Sequence, residues 1–544
     1  MKICLYVLAF AMIGCTTVPQ STVTVADGED YSIPDWVTVE EYSGYGSGDY
    51  EQERISLKNW GVGWKQLEPE RGKYNWELVE EELRKARDGN YKILMRLTSI
   101  TDGAVWTKAG IKVSSVVPDW VKTELKAPRD SLGSHVAFNL YVVAGWHPEV
   151  AKAFNTLIRE FGKQGYPQRD ELAGVYIHGL SRSRGEEHFL DEENGTRIEK
   201  TMGFTPQALE RWIAGRFDAF SEAFKGVEHK IAWVGHKGGF EFGNHAGICE
   251  QQLHDAWERG FGSRGGGVEW YWRQRDNYSF GVHSDDRGYM IVDESNPNHS
   301  KARYFGEENE EYGEHWEWRW GPFAQHPYRY RITMMSCMAI RFRFIWTSSH
   351  AENMNPNLSE YARYSFGKNI NSTPDAWAYL AEGVLSDDGV KNARNFERWL
   401  IQRDVPGGMT QPANRVDREY WPGGSREHMY DYAARSTNIA GGSPHIYFDL
   451  DDRFETQGPI DLKVEVLDNS NCRWRIEYNG SAGAATPTPW VQNQNDSNVR
   501  TATFRIEDAQ FANALEHNMD FRIVCDGPED VAVQWVRVVR DQLP

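Results

Sequence analysis

The order in which local periodicities follow one another constrains this chain most. From about residue 35 to 385, short apolar, aromatic or β-branched runs alternate with amphipathic helical segments; from Gly442 the pattern settles into a period of two. The first pattern is that of parallel strands joined by helices, since a chain returning to a sheet in the same direction needs a long crossover. Eight strands are expected, near Trp36–Glu41, Ser56–Trp64, Lys92–Leu97, Ala173–His178, Lys230–Val234, Val268–Trp272, Ala302–Glu308 and Phe344–Ser348. Helices are expected at Trp76–Asp88, Pro148–Gln164, Thr205–Phe224, Glu250–Gly260 and Tyr328–Arg343. In Pro148–Gln164, Val150, Phe154, Leu157, Ile158 and Phe161 recur at three- and four-residue intervals, the stripe that packs a helix on a sheet. Eight strands in this alternation fit a (β/α)8 TIM barrel over residues 35–385.

Residues 386–441 are rich in Gly and Pro, notably Pro406-Gly407-Gly408 and Pro422-Gly423-Gly424, and read as a linker or long surface loop. Residues 442–544 carry short alternating runs such as His445–Leu450, Leu462–Val466, Trp474–Tyr478, Thr501–Ile506 and Val531–Val539. They suggest an antiparallel β-sandwich with an accessory or carbohydrate-binding role. Cys472 and Cys525 both fall in this region and could pair in an oxidising compartment, while Cys249 and Cys337 read as buried thiols.

The N-terminus reads as an address. Lys2, the apolar run Ile3–Ile13 and Gly14 form a short secretory signal over residues 1–14. Ala11-Met12-Ile13-Gly14-Cys15 resembles the lipobox of bacterial lipoproteins, with Met12 where Leu is usual. That resemblance implies lipidation of Cys15, followed by a flexible tether over residues 15–34, in a chain anchored to the outer membrane or otherwise periplasmic or secreted. No other apolar run approaches the roughly 20 residues of a membrane span, so contact with a membrane is expected through the lipid only.

With 60 basic against 79 acidic residues the net charge is −19, which repels a phosphate backbone and argues against a nucleic-acid partner. The 22 Trp, 25 Tyr and 24 Phe suit a large core or flat stacking platforms. In a TIM barrel the chemistry sits on loops after the strands' C-terminal ends. Two of those loops are rich in Glu: His178 to His188, with Glu186 and Glu187, and Gly306 to Glu314, with Glu308 and Glu310. One protonated and one ionised carboxyl is the minimum equipment for cleaving a glycosidic bond with retention.

At these residues the chain resembles the clan A glycoside hydrolases, retaining barrel enzymes that include β-galactosidases, agarases and cellulases. The carriers are Trp64-Lys65-Gln66-Leu67-Glu68-Pro69-Glu70-Arg71-Gly72-Lys73-Tyr74-Asn75-Trp76 after the second strand and Trp146-His147-Pro148-Glu149-Val150 before the fourth. The family's acid/base follows strand four and its nucleophile strand seven. The resemblance therefore implies Glu186, with Glu187 as alternative, as acid/base, and Glu308, with Glu310 competing, as nucleophile. Many members carry an Asn-Glu pair at the end of strand four, whereas here Glu186 follows after several residues of loop; the Gly185-Glu186 step is similar to that of some related barrels. No cofactor or catalytic metal is expected, although Asp449-Leu450-Asp451-Asp452 could hold a structural Ca²⁺.

Sugar platforms are expected from Trp64, Trp233, Trp270, Trp272 and Trp346, and further substrate contacts from His178, Arg184, Arg273 and Tyr312. Arginines gather on these loops at Arg182, Arg184, Arg273, Arg275, Arg303 and Arg319, and guanidinium forks bind sulfate or carboxylate. A polysaccharide or oligosaccharide, and in particular a sulfated galactan of carrageenan or agar type, is therefore the expected partner. Two other readings stay open. A non-catalytic surface glycan-binding lipoprotein would keep the platforms without paired acids. A polysaccharide lyase would use a His or Tyr base such as His178, His188 or Tyr312.

Overall fold

A computed structural model of the chain describes residues 21–39, 42–45, 56–106, 111–135, 138–180, 192–233, 243–245, 247–264, 280–301, 304–309, 312–314, 326–347, 349–383, 393–413, 433–456 and 458–543. Its first sheet is all-parallel and follows chain order. The strands are Tyr42–Tyr45, Leu57–Gly63, Lys92–Thr98, Leu172–Ile177, Ile231–Trp233, Gly262–Ser263, Gly306–Asn309 and Phe344–Thr347. The first pairs with the eighth as well as the second. A parallel bridge between Arg264 and Gly306 joins the sixth to the seventh, so each strand has a neighbour on both sides.

Side chains alternate along these strands. Ile93, Met95, Leu97, Val175, Ile177, Ile231 and Trp233 join one large apolar cluster with the helices. Leu94, Tyr176, Ala232 and Phe344, from the intervening positions, join a separate cluster with Leu57 and Tyr304. Two glycines are dictated by close approach. A Cβ on Gly262 would lie 1.8 Å from the Tyr304 carbonyl oxygen, and one on Gly306 2.3 Å from that of Phe344. The helix Pro148–Lys163 opens on a proline and buries the expected stripe. Thr205 caps Pro206–Ala223 by accepting from the Ala208 amide at 3.2 Å.

The expected first strand, Trp36–Glu41, lies too early: Asp35 and Trp36 form a turn and the strand begins at Tyr42. The sixth also comes earlier than expected, at Gly262–Ser263, and the expected Val268–Trp272 lies outside the described residues.

Two antiparallel sheets follow. One runs in the order Thr22–Asp27, Asn498–Ile506, Ile460–Asp468, Ala532–Arg540, Asp375–Gly383, Ala393–Arg398. The other runs Leu400–Gln402, His445–Leu450, Phe521–Asp526, Arg473–Gly480, Gly483–Pro487. Ala376, Leu462, Phe504 and Val536 of the first and Leu400, Phe448, Trp474 and Ile523 of the second share one apolar cluster. A disulfide joins Cys472 to Cys525; Cys249 and Cys337 are buried thiols.

Two segments differ from their sequence reading. The stretch expected as a tether holds the strand Thr22–Asp27, paired with Arg500–Arg505. The expected linker 386–441 carries Ala393–Arg398 and Leu400–Gln402, and the antiparallel part starts at Asp375. Buried polar groups hide these strands from a hydropathy reading: Glu397 pairs with Arg403 at 2.8 Å, and Arg398 donates to the Ser365 carbonyl at 2.7 Å. The Asp375–Gly383 strand is apolar on both faces, Ala376, Ala378 and Leu380 meeting the other sheet and Trp377, Tyr379 and Ala381 meeting the helix His326–Ala339.

That helix lies between the parallel and antiparallel parts and is almost wholly buried. From it Arg331 reaches Glu465 through two parallel hydrogen bonds of 2.9 and 2.7 Å, both side chains 1% exposed, and also meets Gln534 and, at 3.0 Å, Glu29. Arg331→Ala would strand a buried carboxylate and should cost about 3–5 kcal/mol, the range for breaking one partner of a buried pair. Urea unfolding of the variant with an unchanged midpoint would show that the pair does not hold the parts together.

A second clasp lies nearby. Glu294 accepts from Arg453 at 2.6 Å and from Arg341 at 2.5 Å. The Arg453 hydrogen bond, aided by the Arg341 charge, holds its carboxyl at about 2, against an ordinary 4.5. A carboxyl lowered on folding contributes stability above its unfolded pKa and loses it as the pH falls through the folded one. Thermal melts should therefore fall between about pH 4.5 and about pH 2, and Glu294→Gln should flatten part of that slope. Superimposable pH profiles would assign the acid sensitivity elsewhere.

Candidate active site

The C-terminal ends of the parallel strands gather a polar, aromatic group within an otherwise apolar sheet. Arg264, directly after the sixth strand, is buried and lies 5.1 Å from the Tyr176 ring and 5.7 Å from that of Trp346. Arg96, from the third strand, approaches the Trp346 ring at 5.5 Å from its own side. Such guanidinium–aromatic contacts contribute from about 0.5 kcal/mol in water to about 2 kcal/mol when desolvated, the upper end applying to buried Arg264. Trp346 in turn stands in backbone register with Glu308 of the seventh strand. Beneath this layer Tyr304 stacks on Phe344 at 4.5 Å.

Asn59 of the second strand and the Trp346 indole N–H are shielded from water and make no hydrogen bond among the described residues. Buried amides and indoles are normally satisfied, so these atoms are ready partners for ligand hydroxyls. The ends of the third and fourth strands are tied by Arg216, on the helix Pro206–Ala223. It donates to the His178 carbonyl at 2.6 Å and to Ser99 Oγ at 2.6 Å, and stacks on Trp212 at 4.2 Å. Burial without a carboxylate partner pushes its guanidinium down to about 9. It thereby anchors the chain just past the fourth strand, ahead of Glu186 in sequence.

The expected site residues divide unevenly. Trp346 and the Glu308 backbone fall at this layer, and His178 at its rim. Trp64 and Trp233 are wholly buried and belong to the core: the Trp64 indole donates to Glu68 Oε2 at 2.8 Å, and Trp233 packs edge-on against Phe217 at 4.9 Å. Tyr312 is likewise buried, edge-on to Tyr330 at 5.3 Å with Arg329 over its ring at 4.8 Å. None of the three presents a free face to a sugar; Trp64 and Trp233 were read from strand position, and Tyr312 from its place after the seventh strand. Glu186, Glu187, Glu310, Arg184, Arg273, Trp270, Trp272 and Cys15 lie outside the described residues.

The segment that carries the family resemblance is a structural clip. Glu68 accepts from Trp64 through one oxygen and from the Gly72 amide through the other, each at 2.8 Å, and so closes the Glu70–Lys73 turn. Burial raises its pKa. Asn59, Arg96, Tyr176, Arg264 and Arg216 were missed at the sequence level. For Arg96 a signal existed, a charged residue at an alternate position of the apolar run Lys92–Thr98. Among the described residues no group of three His, Cys, Asp or Glu side chains is arranged to hold a metal ion. In the Asp449–Asp452 run, Asp451 pairs with Arg453 and Asp452 accepts from Asn513. Also among the described residues, no helix is long and apolar enough to cross a membrane.

No family model matches the chain, and no curated protein matches it. Solved structures give distant likenesses. The catalytic domain of β-amylase from Paenibacillus polymyxa aligns at 9% identity and a TM-score of 0.35, over 60% of this chain and 98% of that one. The exo-β-1,4-mannosidase of Opitutaceae bacterium strain TAV5 aligns at 12% identity and 0.32, over 59% of this chain and 55% of that one. Endo-glycoceramidase II from Rhodococcus sp. aligns at 10% identity and 0.29, over 88% and 99%. Likenesses at this level carry no argument about fold or chemistry.

Proposed function

We propose that the chain is a retaining glycoside hydrolase built on a (β/α)8 barrel with an appended β-sandwich. Support for the barrel comes from chain-ordered parallel pairing in which every strand has two neighbours, and from a sheet face that packs on itself. Support for the sandwich comes from the single apolar cluster shared by the two antiparallel sheets. The observation that carries the functional reading is Glu308: an acid on the seventh of eight parallel strands, in register with Trp346 and beside the layer of Arg96, Tyr176 and Arg264.

In this reading Glu308 attacks the anomeric carbon while Glu186 protonates the departing oxygen; Glu186 then takes a proton from the water that releases the sugar. Asn59 and the Trp346 indole bind hydroxyls. No cofactor enters. The substrate is a polysaccharide or oligosaccharide, and the arginine-rich loops favour a sulfated galactan of carrageenan or agar type. Localisation as an envelope lipoprotein through Cys15, or as a periplasmic or secreted enzyme, is supported by the Cys472–Cys525 disulfide, a bond of oxidising compartments.

Digestion of neutral and sulfated galactans by wild type and Glu308→Gln tests the reading. The variant should fold normally and lose on the order of 10³-fold or more in rate. Near-normal turnover, with Glu310→Gln inactive, would move the nucleophile by two residues. Azide should restore turnover of Glu186→Ala on an activated aryl glycoside, because a small anion replaces the missing base; rescue confined to Glu187→Ala would shift the acid/base by one residue.

A further inference from the structure

A cleft opens where the parallel part meets the antiparallel sheets, near the N-terminal ends of the parallel strands and so at the opposite end from Glu308. A cavity of about 710 Å³ shares Arg341, Trp399 and Arg453 with a second of about 360 Å³. The first alone lies within the range of small-molecule sites, and the shared residues make the two adjoin.

Most charge on the larger wall is compensated internally. Arg403 pairs with Glu397 at 2.8 Å, Arg453 with Asp451 at 2.5 Å and Arg341 with Glu294 at 2.5 Å. Asp449 and Asp452 form no salt bridge among the described residues; Asp452 accepts from the Asn513 amide at 2.8 Å. Burial, with Asp520 and Asp452 close by, pushes Asp449 up to about 6, which brings the wall nearer neutrality in mildly acidic solution. The wall thus presents carboxyl, carboxylate and amide groups, donors and acceptors together, facing an apolar strip at Met290–Val292. A neutral polyhydroxylated ligand matches this: its hydroxyls both donate and accept, and its C–H faces need an apolar surface.

The backbone supplies an independent sign. Arg341, Trp399, Asn513 and Asn518, with φ of 67°, 57°, 55° and 57°, all line this one cavity in the left-handed region. For Arg and Trp this conformation is unusual, and such strain collects where a ligand site demands it.

We propose that this cleft is a second saccharide site, holding a short neutral stretch of glycan between Asp449, Asp452, Asn513 and Asn518 on one side and Met290–Val292 on the other. It rests on the glycosidase reading only for the choice of sugars to try.

Calorimetric titration of the full chain at about pH 6 with cellotetraose, mannotetraose and neoagarotetraose, and with chitosan tetraose as an amine-bearing control, tests it. Asn513→Gly and Asn518→Gly keep the left-handed backbone while removing the amide, so both variants should fold; Asp452→Asn removes the charge. At least one neutral tetrasaccharide should bind a site that these variants weaken tenfold or more and that Glu308→Gln leaves unchanged, with turnover of an aryl glycoside unaffected by the three cleft changes. No binding of any neutral tetrasaccharide, binding insensitive to the three changes, or sensitivity confined to chitosan tetraose would overturn the proposal. An inactive wild type that still shows cleft-dependent binding would sink the hydrolase reading alone; an active enzyme without such binding would sink only this one.

Discussion

The architecture depends on one buried cation. Arg331 projects from the helix between the parallel and antiparallel parts, and its guanidinium meets Glu465 and Gln534 on two strands of one sheet and Glu29 in the N-terminal segment. A buried ion pair adds little net stability over a well-packed apolar contact, because both ions are desolvated, yet any docking that separates them is heavily penalised. The same logic repeats with Arg537, which reaches Asp375 at 2.8 Å, while Tyr361 from the neighbouring helix donates to that carboxylate, also at 2.8 Å. Oily faces could slide past one another; these polar contacts select one alignment.

How much of this was legible depended on how each residue type is buried. Helices such as Trp76–Asp88 and Pro148–Lys163 were legible because one face is apolar and the other wet. Parallel strands such as Lys92–Thr98 were legible because their apolar runs are bounded by turns and helices. The Asp375–Gly383 strand was not, since both faces are covered and no alternation survives. Nor was Ala393–Arg398, whose Glu397 and Arg398 look like surface residues and are buried by partners distant in sequence. At the candidate site, strand position alone identified Trp346, but the same reasoning misjudged Trp64 and Trp233, which lie on the helix-covered side. Asn59 and Arg264 had no clear local signal: strand pairing sets Asn59 beside Leu94 and brings Arg264 near Trp346.

The two ends of the parallel strands do different physical work. At the C-terminal ends, buried Arg264 sits against aromatic faces, where small changes in charge are felt strongly. At the N-terminal ends, acids and guanidiniums cancel one another along a wide groove. Low dielectric magnifies each charge at the first end; cancellation mutes it at the second.

The strand Thr22–Asp27 lies along an outer edge of the antiparallel sheet, hydrogen-bonded to Arg500–Arg505. Were Cys15 the lipid-bearing residue, the seven steps from it to Thr22 could span at most about 25 Å even when fully extended. The sheet edge would then ride close above the bilayer, within about three Debye lengths at physiological salt. At that full reach salt screens most of the interaction between the lipid surface and a body carrying −19, so the leash would hold the sheet edge near the membrane without electrostatics fixing its tilt. The leash would therefore set the protein's distance from the membrane as well as its address.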